Sequence, residues 1–453
     1  MAVRYNEDIP CLTLRIVAST LSLANVRAHF LIYIINIVKS ISVFFKKLAF
    51  AIKRIAGLMG KIMNITDRIA ATYFDKFGHT PAHISRAPGR VNLLGEHVDY
   101  NDGFVLPAAI DRATYVAFSP TNARHSTLIA ADFNQQASFS AETIPTKTQA
   151  DSSPLPEWAL YPAGVMWTLL EEKLPISSMN AVFASDVPRG SGLSSSASVE
   201  MAFMIAWQTL GRWSLPSMQR ALLGQKAENQ YVGVNCGIMD QFASACGVDD
   251  KLLLLDCRSL EWKIIPLPKD VAIVIADTTV RRKLTSGEYN KRRSACEEAV
   301  RLLHQDLPNI KTLRDVSVAD FNRLSEKLPV EIEKRARHVV EEIERSNQAQ
   351  ALLEAEDIQK FGRLMNECHV SLRDLYEVSC PELDVMVRIA QSLEGCYGAR
   401  LTGAGFGGCT VNLVAWNNAE EFSRSLAIGY ETETGSHPEI YITRASKGAE
   451  LLS

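Results

Sequence analysis

The sequence lacks the cysteine pairs that mark zinc sites, redox motifs and disulfide frameworks. Its nine cysteines are scattered, none stands in a C-x-x-C pair, and their number is odd. A secreted, disulfide-stabilised domain and a structural zinc site are therefore disfavoured. Most of these cysteines are expected to be small buried apolar residues, and the expected location is a reducing cytoplasm.

The chain also lacks an excess of positive charge. Its formal net charge is −3, which gives no electrostatic reason to expect nucleic-acid binding. Internal repeats and low-complexity tracts are absent from the sequence as well. The 453 residues, 47% of them hydrophobic, suffice for a sizeable core, and two domains are the natural expectation.

Residues 1–62 differ from the rest because they hold nine basic and only two acidic residues. Their apolar run, residues 30–38, is shorter than the roughly 20 residues of a membrane span, and no signal-peptide cleavage site follows it. One interpretation is a basic amphipathic helix on a membrane surface. The favoured alternative is that this leader is not part of the working protein, whose natural start is then Met59 or Met63.

Beyond the leader, helical and strand-like patterns are mixed. Apolar residues at positions 65, 69, 73 and 77 predict a helix. Further helices are predicted at residues 158–170, 197–209, 218–231 and over most of 289–389. Strands are predicted at residues 83–86, 113–118, 126–130, 181–184, 252–255, 271–276 and on both sides of a glycine turn within 398–414. We therefore expect an α+β fold in two domains, residues 63–267 and 268–453.

Residues 86–103 hold the densest group of polar side chains. Arg90, Glu96, His97 and Asp99 fall within ten residues, and tight turns are favoured by the nearby glycines. This composition suits a sugar, because a carboxylate can accept hydrogen bonds from two hydroxyls. The alternative is a charged surface loop.

Residues 185–198 form a Gly/Ser-rich turn between a predicted strand and a predicted helix. Glycines let the backbone approach phosphates, and a helix N-terminus supplies free N–H groups. The turn is neither a Walker loop nor a kinase G-x-G-x-x-G loop. A serine hydroxyl here could reach Mg²⁺, although an ordinary serine-capped helix is the alternative. We call residues 190–198 the serine loop.

Two further stretches complete the set. In residues 226–241, Glu228 and Asp240 are candidates for a metal ligand and a catalytic carboxylate, both of which phosphoryl transfer needs; solvated carboxylates are the alternative. Residues 401–409, the glycine motif, contain four glycines and a threonine. Their composition favours close packing onto another backbone or a ligand, or a simple strand-connecting turn.

In this order the four stretches resemble the motifs of the GHMP small-molecule kinases and, within that superfamily, of the galactokinase family. Residues 89–100, Gly-Arg-Val-Asn-Leu-Leu-Gly-Glu-His-Val-Asp-Tyr, are similar to the galactokinase signature. The resemblance covers roughly residues 64–453. It implies a two-domain α+β GHMP kinase fold with the active site in the cleft between the domains. It also implies transfer of the γ-phosphate of ATP to the C1 hydroxyl of α-D-galactose, the first committed step of galactose catabolism.

The resemblance implies roles for individual residues. The sugar hydroxyls are expected to contact Glu96, His97, Asp99, Gly237 and Tyr289, the last within a matching stretch at residues 286–293. Asp240 is expected beside the C1 hydroxyl, with Arg90 close to both. Mg²⁺ is expected on Ser196 and Glu228. The phosphates are expected to lie against Gly190, Ser191, Gly192, Leu193, Ser194, Ser195, Ser196 and Ala197, with Trp158 near the adenine.

Several alternatives stay open at this point. Asp240 could act as a general base, or it could only orient the hydroxyl while Arg90 stabilises the transferring phosphoryl group. The acceptor could be N-acetylgalactosamine or galacturonic acid instead of galactose. A galactose sensor without catalysis is disfavoured, because the serine loop is intact. The working protein is expected to be a monomer.

Overall fold

The computed structural model of the protein describes residues 63–281 and 286–453. The predictions for the leader, residues 1–62, lie outside the described residues. None of the helices in the described part combines the length and hydrophobicity that a bilayer crossing requires. Helices and strands are mixed along the described chain, which confirms the predicted α+β class.

The strands form three sheets. The first sheet contains β1 (His83–Asn92), β3 (Pro107–Pro120), β4 (Ser126–Ala130), β5 (Gln135–Phe139), β6 (Met179–Ser185) and β13 (Glu450–Leu451). A smaller sheet contains β2 (Phe104–Val105), β7 (Lys251–Asp256) and β8 (Trp262–Pro266). The third contains β9 (Val271–Asp277), β10 (Cys396–Leu401), β11 (Cys409–Ala415) and β12 (Glu439–Thr443).

The α-helices lie before and between these strands. They are α1 (Ile65–Phe77), α2 (Leu160–Glu171), α3 (Ser195–Gly211), α4 (Ser217–Lys226), α5 (Met239–Cys246), α6 (Ser286–Leu303), α7 (Val318–Leu324), α8 (Val330–Glu354), α9 (Ile358–Asp374), α10 (Pro381–Ser392) and α11 (Ala419–Thr434). A π-helical segment, Ala227–Val232, continues α4. The helical stretch predicted at residues 218–231 therefore changes its hydrogen-bond register at residue 227.

The six-stranded sheet is buried on both faces. Its strand order is β13-β1-β3-β6-β4-β5, and only β4 and β6 run parallel. Ile69 and Tyr73 of α1 are buried with Val182 of β6 on one face. Phe183, the next residue of β6, points to the opposite face and contacts Phe203 of α3. Successive residues of one strand therefore enter two separate cores, because strand side chains alternate.

The four-stranded sheet has the order β10-β11-β9-β12 and is antiparallel throughout. Every residue of β9 is buried. Val274 packs with the core formed by α10 and α11, whereas Ile273 and Ile275 belong to the main core. Burial on both faces explains why this strand is apolar without alternation, and the strand predicted at residues 271–276 is confirmed.

The end of the chain returns to the first sheet. Strand β13 pairs with β1, with Arg86 opposite Glu450. Residues Ile65–Ser453 form one compact unit by their backbone contacts. The domain boundary between residues 267 and 268 stays a prediction.

Candidate active site

The serine loop and the glycine motif cross backbone to backbone. A Cβ added to Gly192 would lie 2.8 Å from Thr402 O, and one added to Gly403 would lie 2.6 Å from Gly192 O. The Cys409 N–H also donates a hydrogen bond to Ser191 O at 3.0 Å. Side chains would push the two loops apart, so this crossing needs glycine. The glycine motif therefore packs closely against the backbone of the serine loop, one of the arrangements expected from its composition.

The serine loop exposes polar groups at the start of α3. Its backbone turns through the left-handed region at Gly192 (φ 80°) and at Ser194 (φ 59°). Ser194 is only 8% exposed, and its hydroxyl has no hydrogen-bond partner among the described residues. The first turn of α3 follows directly and carries free N–H groups. Together these donors form an arrangement that suits an anionic phosphate.

Arg90 contacts two other predicted parts of the site, Asp240 and the serine loop. It lies in β1 just after a bulge and is 4% exposed. One guanidinium nitrogen, Nη2, donates to Asp240 Oδ1 at 2.6 Å, and Nη1 donates to Gly192 O at 2.5 Å. Asp240 belongs to the first turn of α5 and is separated from Arg90 by 150 positions in the sequence. The fold thus brings the predicted catalytic pair into direct contact beside the serine loop.

Asp99 and Gly237 approach each other closely. A Cβ on Gly237 would overlap the Asp99 carboxylate, so only glycine fits at this position. Burial, together with the nearby carboxylates of Asp240 and Glu96, raises the pKa of Asp99 to about 7. Three carboxylates therefore share one small region, which favours a ligand that offers several hydroxyl donors.

Glu96 is held in a buried ion pair. It is 2% exposed and accepts a hydrogen bond from Arg400 Nη2 of β10, a residue that is itself fully buried. The amide of Asn92 also points to the same carboxylate, at 3.4 Å. Burial raises the pKa of Glu96, while Arg400 and Arg90 oppose this shift. Its carboxylate therefore has a fixed orientation.

His97 ends a chain of hydrogen bonds. Burial lowers its pKa to about 3, so the ring is neutral at neutral pH. Its Nε2 lies 3.4 Å from Ala404 O, and a carbonyl only accepts, so Nε2 carries the proton. Its Nδ1 then accepts from the Tyr100 hydroxyl at 2.9 Å, and Tyr100 accepts from Tyr376 at 2.7 Å. These bonds fix the tautomer and orientation of the ring.

Tyr289 lies against the same cluster. Its ring centroid is 5.6 Å from that of His97 and 5.5 Å from that of Tyr100. It comes from α6, in the C-terminal half of the chain, whereas His97 follows β1. The structure therefore brings all the predicted sugar residues into one region, although nothing in their sequence positions requires it.

Glu228 lies on the π-helical segment and is 6% exposed. Its carboxylate accepts hydrogen bonds from the Ser196 hydroxyl and from Gln241 Nε2, the latter at 2.6 Å. Burial and the nearby Asp240 carboxylate together raise its pKa to about 7. Among the described residues no cluster of three or more His, Cys, Asp or Glu forms a metal site. A hydroxyl and one carboxylate are nevertheless a donor set that fits Mg²⁺, which commonly takes its other ligands from water and phosphates.

Trp158 contacts the six-stranded sheet. Its Nε1 donates to Gln135 Oε1 of β5 at 2.8 Å, and its ring lies 5.5 Å from that of Phe183 in β6. Strand β6 leads directly into the serine loop. The predicted role beside the adenine stays a prediction.

Some residues of the site carry no signal in the sequence. Arg281 forms a bidentate ion pair with Asp277, and its side chain lies 3.3 Å from the Cβ position of Gly190. Gln241 bridges Glu228 and Glu200 through its amide nitrogen. The one signal that could have suggested Gln241 is its position directly after Asp240.

The chain matches three family signatures. These are the galactose-binding signature of galactokinases over residues 71–120, the N-terminal GHMP kinase domain over residues 161–248 and the C-terminal GHMP kinase domain over residues 349–431. The galactokinase of Roseiflexus sp. (strain RS-1) is 48% identical over 383 residues, which cover 84% of this chain and 96% of that protein. This chain belongs to the galactokinase family. The galactokinase of Chloroflexus aggregans is 45% identical over 384 residues, 85% of this chain and 97% of that protein.

Solved structures agree with this membership. The crystal structure of Lactococcus lactis galactokinase complexed with galactose matches with a TM-score of 0.81 and 34% identity, over 85% of this chain and 100% of that one. Methanococcus jannaschii mevalonate kinase matches with a TM-score of 0.54 and 20% identity, over 81% and 99%, which shows a shared fold alone. The predicted GHMP kinase fold and the resemblance to galactokinases are confirmed.

Proposed function

We propose that this protein catalyses the ATP-dependent phosphorylation of galactose at its C1 hydroxyl, giving galactose 1-phosphate and ADP. The observation that carries the proposal is the position of Arg90, whose guanidinium bonds both Asp240 and the Gly192 carbonyl of the serine loop. The positively charged Arg90 guanidinium thus lies between the residues proposed for the acceptor and those proposed for the phosphates. Membership of the galactokinase family supports galactose as the acceptor.

The acceptor sugar lies, in this proposal, against the buried polar cluster around Asp99. The orientated Glu96 carboxylate offers hydrogen bonds that discriminate between the faces of a sugar. The neutral His97 ring, whose two nitrogens already bond Ala404 O and the Tyr100 hydroxyl, offers a contact surface of fixed orientation. Gly237 leaves room for the Asp99 carboxylate, and Tyr289 closes the pocket on the side of α6.

The nucleotide phosphates lie against the serine loop. The supporting observations are the unpartnered Ser194 hydroxyl and the free N–H groups of α3. The residues proposed to line the phosphates are Gly190, Ser191, Gly192, Leu193, Ser194, Ser195, Ser196 and Ala197. Trp158 is proposed as a neighbour of the adenine.

Ser196 and Glu228 would hold Mg²⁺. Their mutual hydrogen bond and the burial of Glu228 support this assignment. When bound, the ion would neutralise charge on the phosphate oxygens. Gln241 would keep the Glu228 carboxylate turned towards Ser196, since it donates to the same carboxylate.

Two routes to transfer remain for Asp240. As a general base it would take the proton of the C1 hydroxyl. As an orienting group it would only accept a hydrogen bond from that hydroxyl, while Arg90 stabilises charge on the transferring phosphoryl group. In either route the hydrogen bond from Arg90 fixes the position of the Asp240 carboxylate.

The test compares Asp240→Ala with Asp240→Asn. We expect the Ala variant to lose at least about 10³-fold in kcat, because positioning and any proton transfer are both removed. Galactose binding, measured by calorimetry, should change only severalfold. Substantially higher turnover of Asn than of Ala indicates orientation, whereas equal losses indicate a base. Wild-type turnover of the Ala variant would contradict the assignment.

A cytoplasmic location and a monomeric working unit belong to the same proposal. The cysteines in the described part of the chain are all free, as expected in a reducing compartment. The monomeric working unit stays a prediction.

A further inference from the structure

The sugar loop, which we define as residues 95–99, has a backbone conformation that is unfavourable for its sequence. His97 has φ 62°, in the left-handed region that residues other than glycine rarely adopt. Such a conformation persists only where neighbouring groups impose it. The strained residue is one of the proposed sugar contacts, so the groups that impose its backbone also shape the pocket.

Helix α8 supplies two such groups. His338 and Glu342 are four positions apart and therefore lie on one face of the helix. Glu342 Oε1 accepts a hydrogen bond from the Gly95 N–H at 2.8 Å, and His338 Nε2 lies 3.2 Å from Glu96 O. Both α8 residues are fully buried, at 0% exposure. Two consecutive residues of the sugar loop are thus anchored to one distant helix.

The bond from His338 acts on the peptide group that leads into His97. Glu96 O and the His97 nitrogen belong to the same rigid plane. Rotation of this plane about the bond from the His97 nitrogen to its Cα is the angle φ of His97. A donor that fixes Glu96 O therefore restricts the strained angle directly.

The protonation of His338 follows from its partners. Because a carbonyl only accepts, Nε2 must carry a proton and donate it to Glu96 O. Burial lowers the pKa of His338 to about 4, so Nδ1 is unprotonated at neutral pH. Nδ1 then accepts from the Ser371 hydroxyl of α9 at 2.8 Å. Ser371 thus holds His338 in the tautomer that the sugar loop requires.

Glu342 is fixed in the same manner. Its Oε2 accepts from Arg345 Nε at 2.7 Å, while the Cys368 thiol lies 3.0 Å from Oε1. The charge of Arg345 and the hydrogen bonds keep the pKa of Glu342 low, at about 2, despite its burial. The acceptor for the Gly95 N–H is therefore an ionised carboxylate, which forms stronger hydrogen bonds than a neutral group.

We propose that His338 and Glu342 are positioning residues that hold the sugar loop, and with it His97, in the conformation that binds the sugar. This inference rests on the proposed function, in which Glu96 and His97 contact galactose. Neither residue needs to touch the substrate. Their loss should weaken galactose binding while leaving the nucleotide side unchanged.

The main experiment compares His338→Phe with His338→Gln in the full chain. Phe keeps a ring beside Tyr376, 4.5 Å away between centroids, but donates nothing to Glu96 O. We expect KM for galactose to rise about tenfold or more, because a buried carbonyl loses its donor. KM for ATP should stay within about twofold of wild type, because no nucleotide contact changes. Gln supplies an amide donor and should recover most of the galactose affinity.

The control is Leu353→Ala in the same helix. Leu353 is a buried core residue eleven positions beyond Glu342, so its truncation destabilises α8 without removing a bond to the sugar loop. We expect a lower melting temperature with an unchanged KM for galactose. Two results would show a purely structural role and overturn the proposal. One is an equal rise of KM for galactose and KM for ATP in His338→Phe, and the other is a rise of KM for galactose in Leu353→Ala as large as that in His338→Phe.

A milder variant, Ser371→Ala, covers the case in which the Phe variant does not fold. It removes only the donor to Nδ1, and we expect KM for galactose to rise about threefold. An unchanged KM for galactose in Ser371→Ala, together with an unchanged value in His338→Phe wherever that protein folds, refutes the positioning role. If wild type itself does not release ADP with galactose, the proposed function fails instead, and galactose binding by calorimetry then tests the positioning role alone.

Discussion

The sugar loop and the serine loop are stabilised by different kinds of contact. The sugar loop is held by buried charged and polar side chains from distant elements, namely Arg400, His338 and Glu342. The serine loop is held mainly by backbone contacts with the glycine motif, and its Ser194 hydroxyl stays without a partner in the described structure. In the proposed function, sugar recognition thus depends on three remote side chains, whereas phosphate recognition depends on backbone shape and a helix terminus.

Of the two loops, the one on the sugar side is expected to give the larger effect. In Gly237→Ala the new methyl group overlaps the Asp99 carboxylate and must displace it. We expect kcat/KM for galactose to fall about 100-fold, since a displacement of this size misplaces the acceptor. Steady-state kinetics with each substrate varied would measure the change. A larger loss for ATP than for galactose would remove the distinction between the two sides.

Glu228→Gln tests the proposed Mg²⁺ ligand. A neutral amide is a poorer ligand for Mg²⁺ than a carboxylate. We expect kcat to fall about 100-fold and the Mg²⁺ concentration for half-maximal rate to rise. Glu200→Gln is the matched control, because Glu200 bonds the same Gln241 amide from the other side. A larger effect at Glu200 would contradict the assignment of Glu228.

The raised pKa of Asp99 predicts a pH dependence of stability. Its pKa is 3.8 ordinarily and about 7 when folded, so the folded state binds the proton more tightly. The resulting stabilisation is complete below about pH 4 and is lost as the pH rises through about 7. Urea unfolding near pH 5 and near pH 8 should show a loss of roughly 2 kcal/mol that Asp99→Asn lacks. Identical pH profiles for the two proteins would refute the buried-carboxylate interpretation.

The smaller effect of the two loops is expected on the phosphate side, in Gly192→Ala. Its left-handed φ of 80° and the Thr402 carbonyl 2.8 Å from the Cβ position make a side chain unfavourable. We expect KM for ATP to rise about tenfold with little change in KM for galactose. Gly233→Ala is a useful control, because its φ is also positive, at 98°, but no atom lies near its Cβ position. Equal effects of the two substitutions would indicate backbone strain alone.

Much of the fold could be predicted from apolar periodicity. The spacing of Ile69 and Tyr73 indicated α1, and the continuous apolar run of β9 indicated a strand, which the structure buries on both faces. Strands β2 and β13, of two residues each, were not predicted, because so short a stretch carries no periodicity. The full length of β1 was missed too, since Pro88 and Gly89 suggest a turn, whereas the structure accommodates them in a bulge.

The residues of the candidate site could likewise be predicted only in part. Arg90 and Asp240 stand in recognisable motifs, but only the resemblance to a family suggested that they act together. His338 and Glu342 could not be predicted, because α8 is rich in charge and its solvated and buried charged residues look alike in the sequence. Glu341 is partly exposed, whereas its neighbour Glu342 is fully buried. Which of them faces the core depends on the tertiary packing of the helix.

Galactose phosphorylation by this protein is tested most directly by measuring ADP release from the purified full chain with ATP and Mg²⁺. Galactose, N-acetylgalactosamine, galacturonic acid and glucose would be compared, and phosphorus NMR would identify the product. We expect galactose to give the highest kcat/KM, by about tenfold or more, with the phosphate on C1. Equal or better activity on N-acetylgalactosamine, or no ADP release with galactose, would contradict the account.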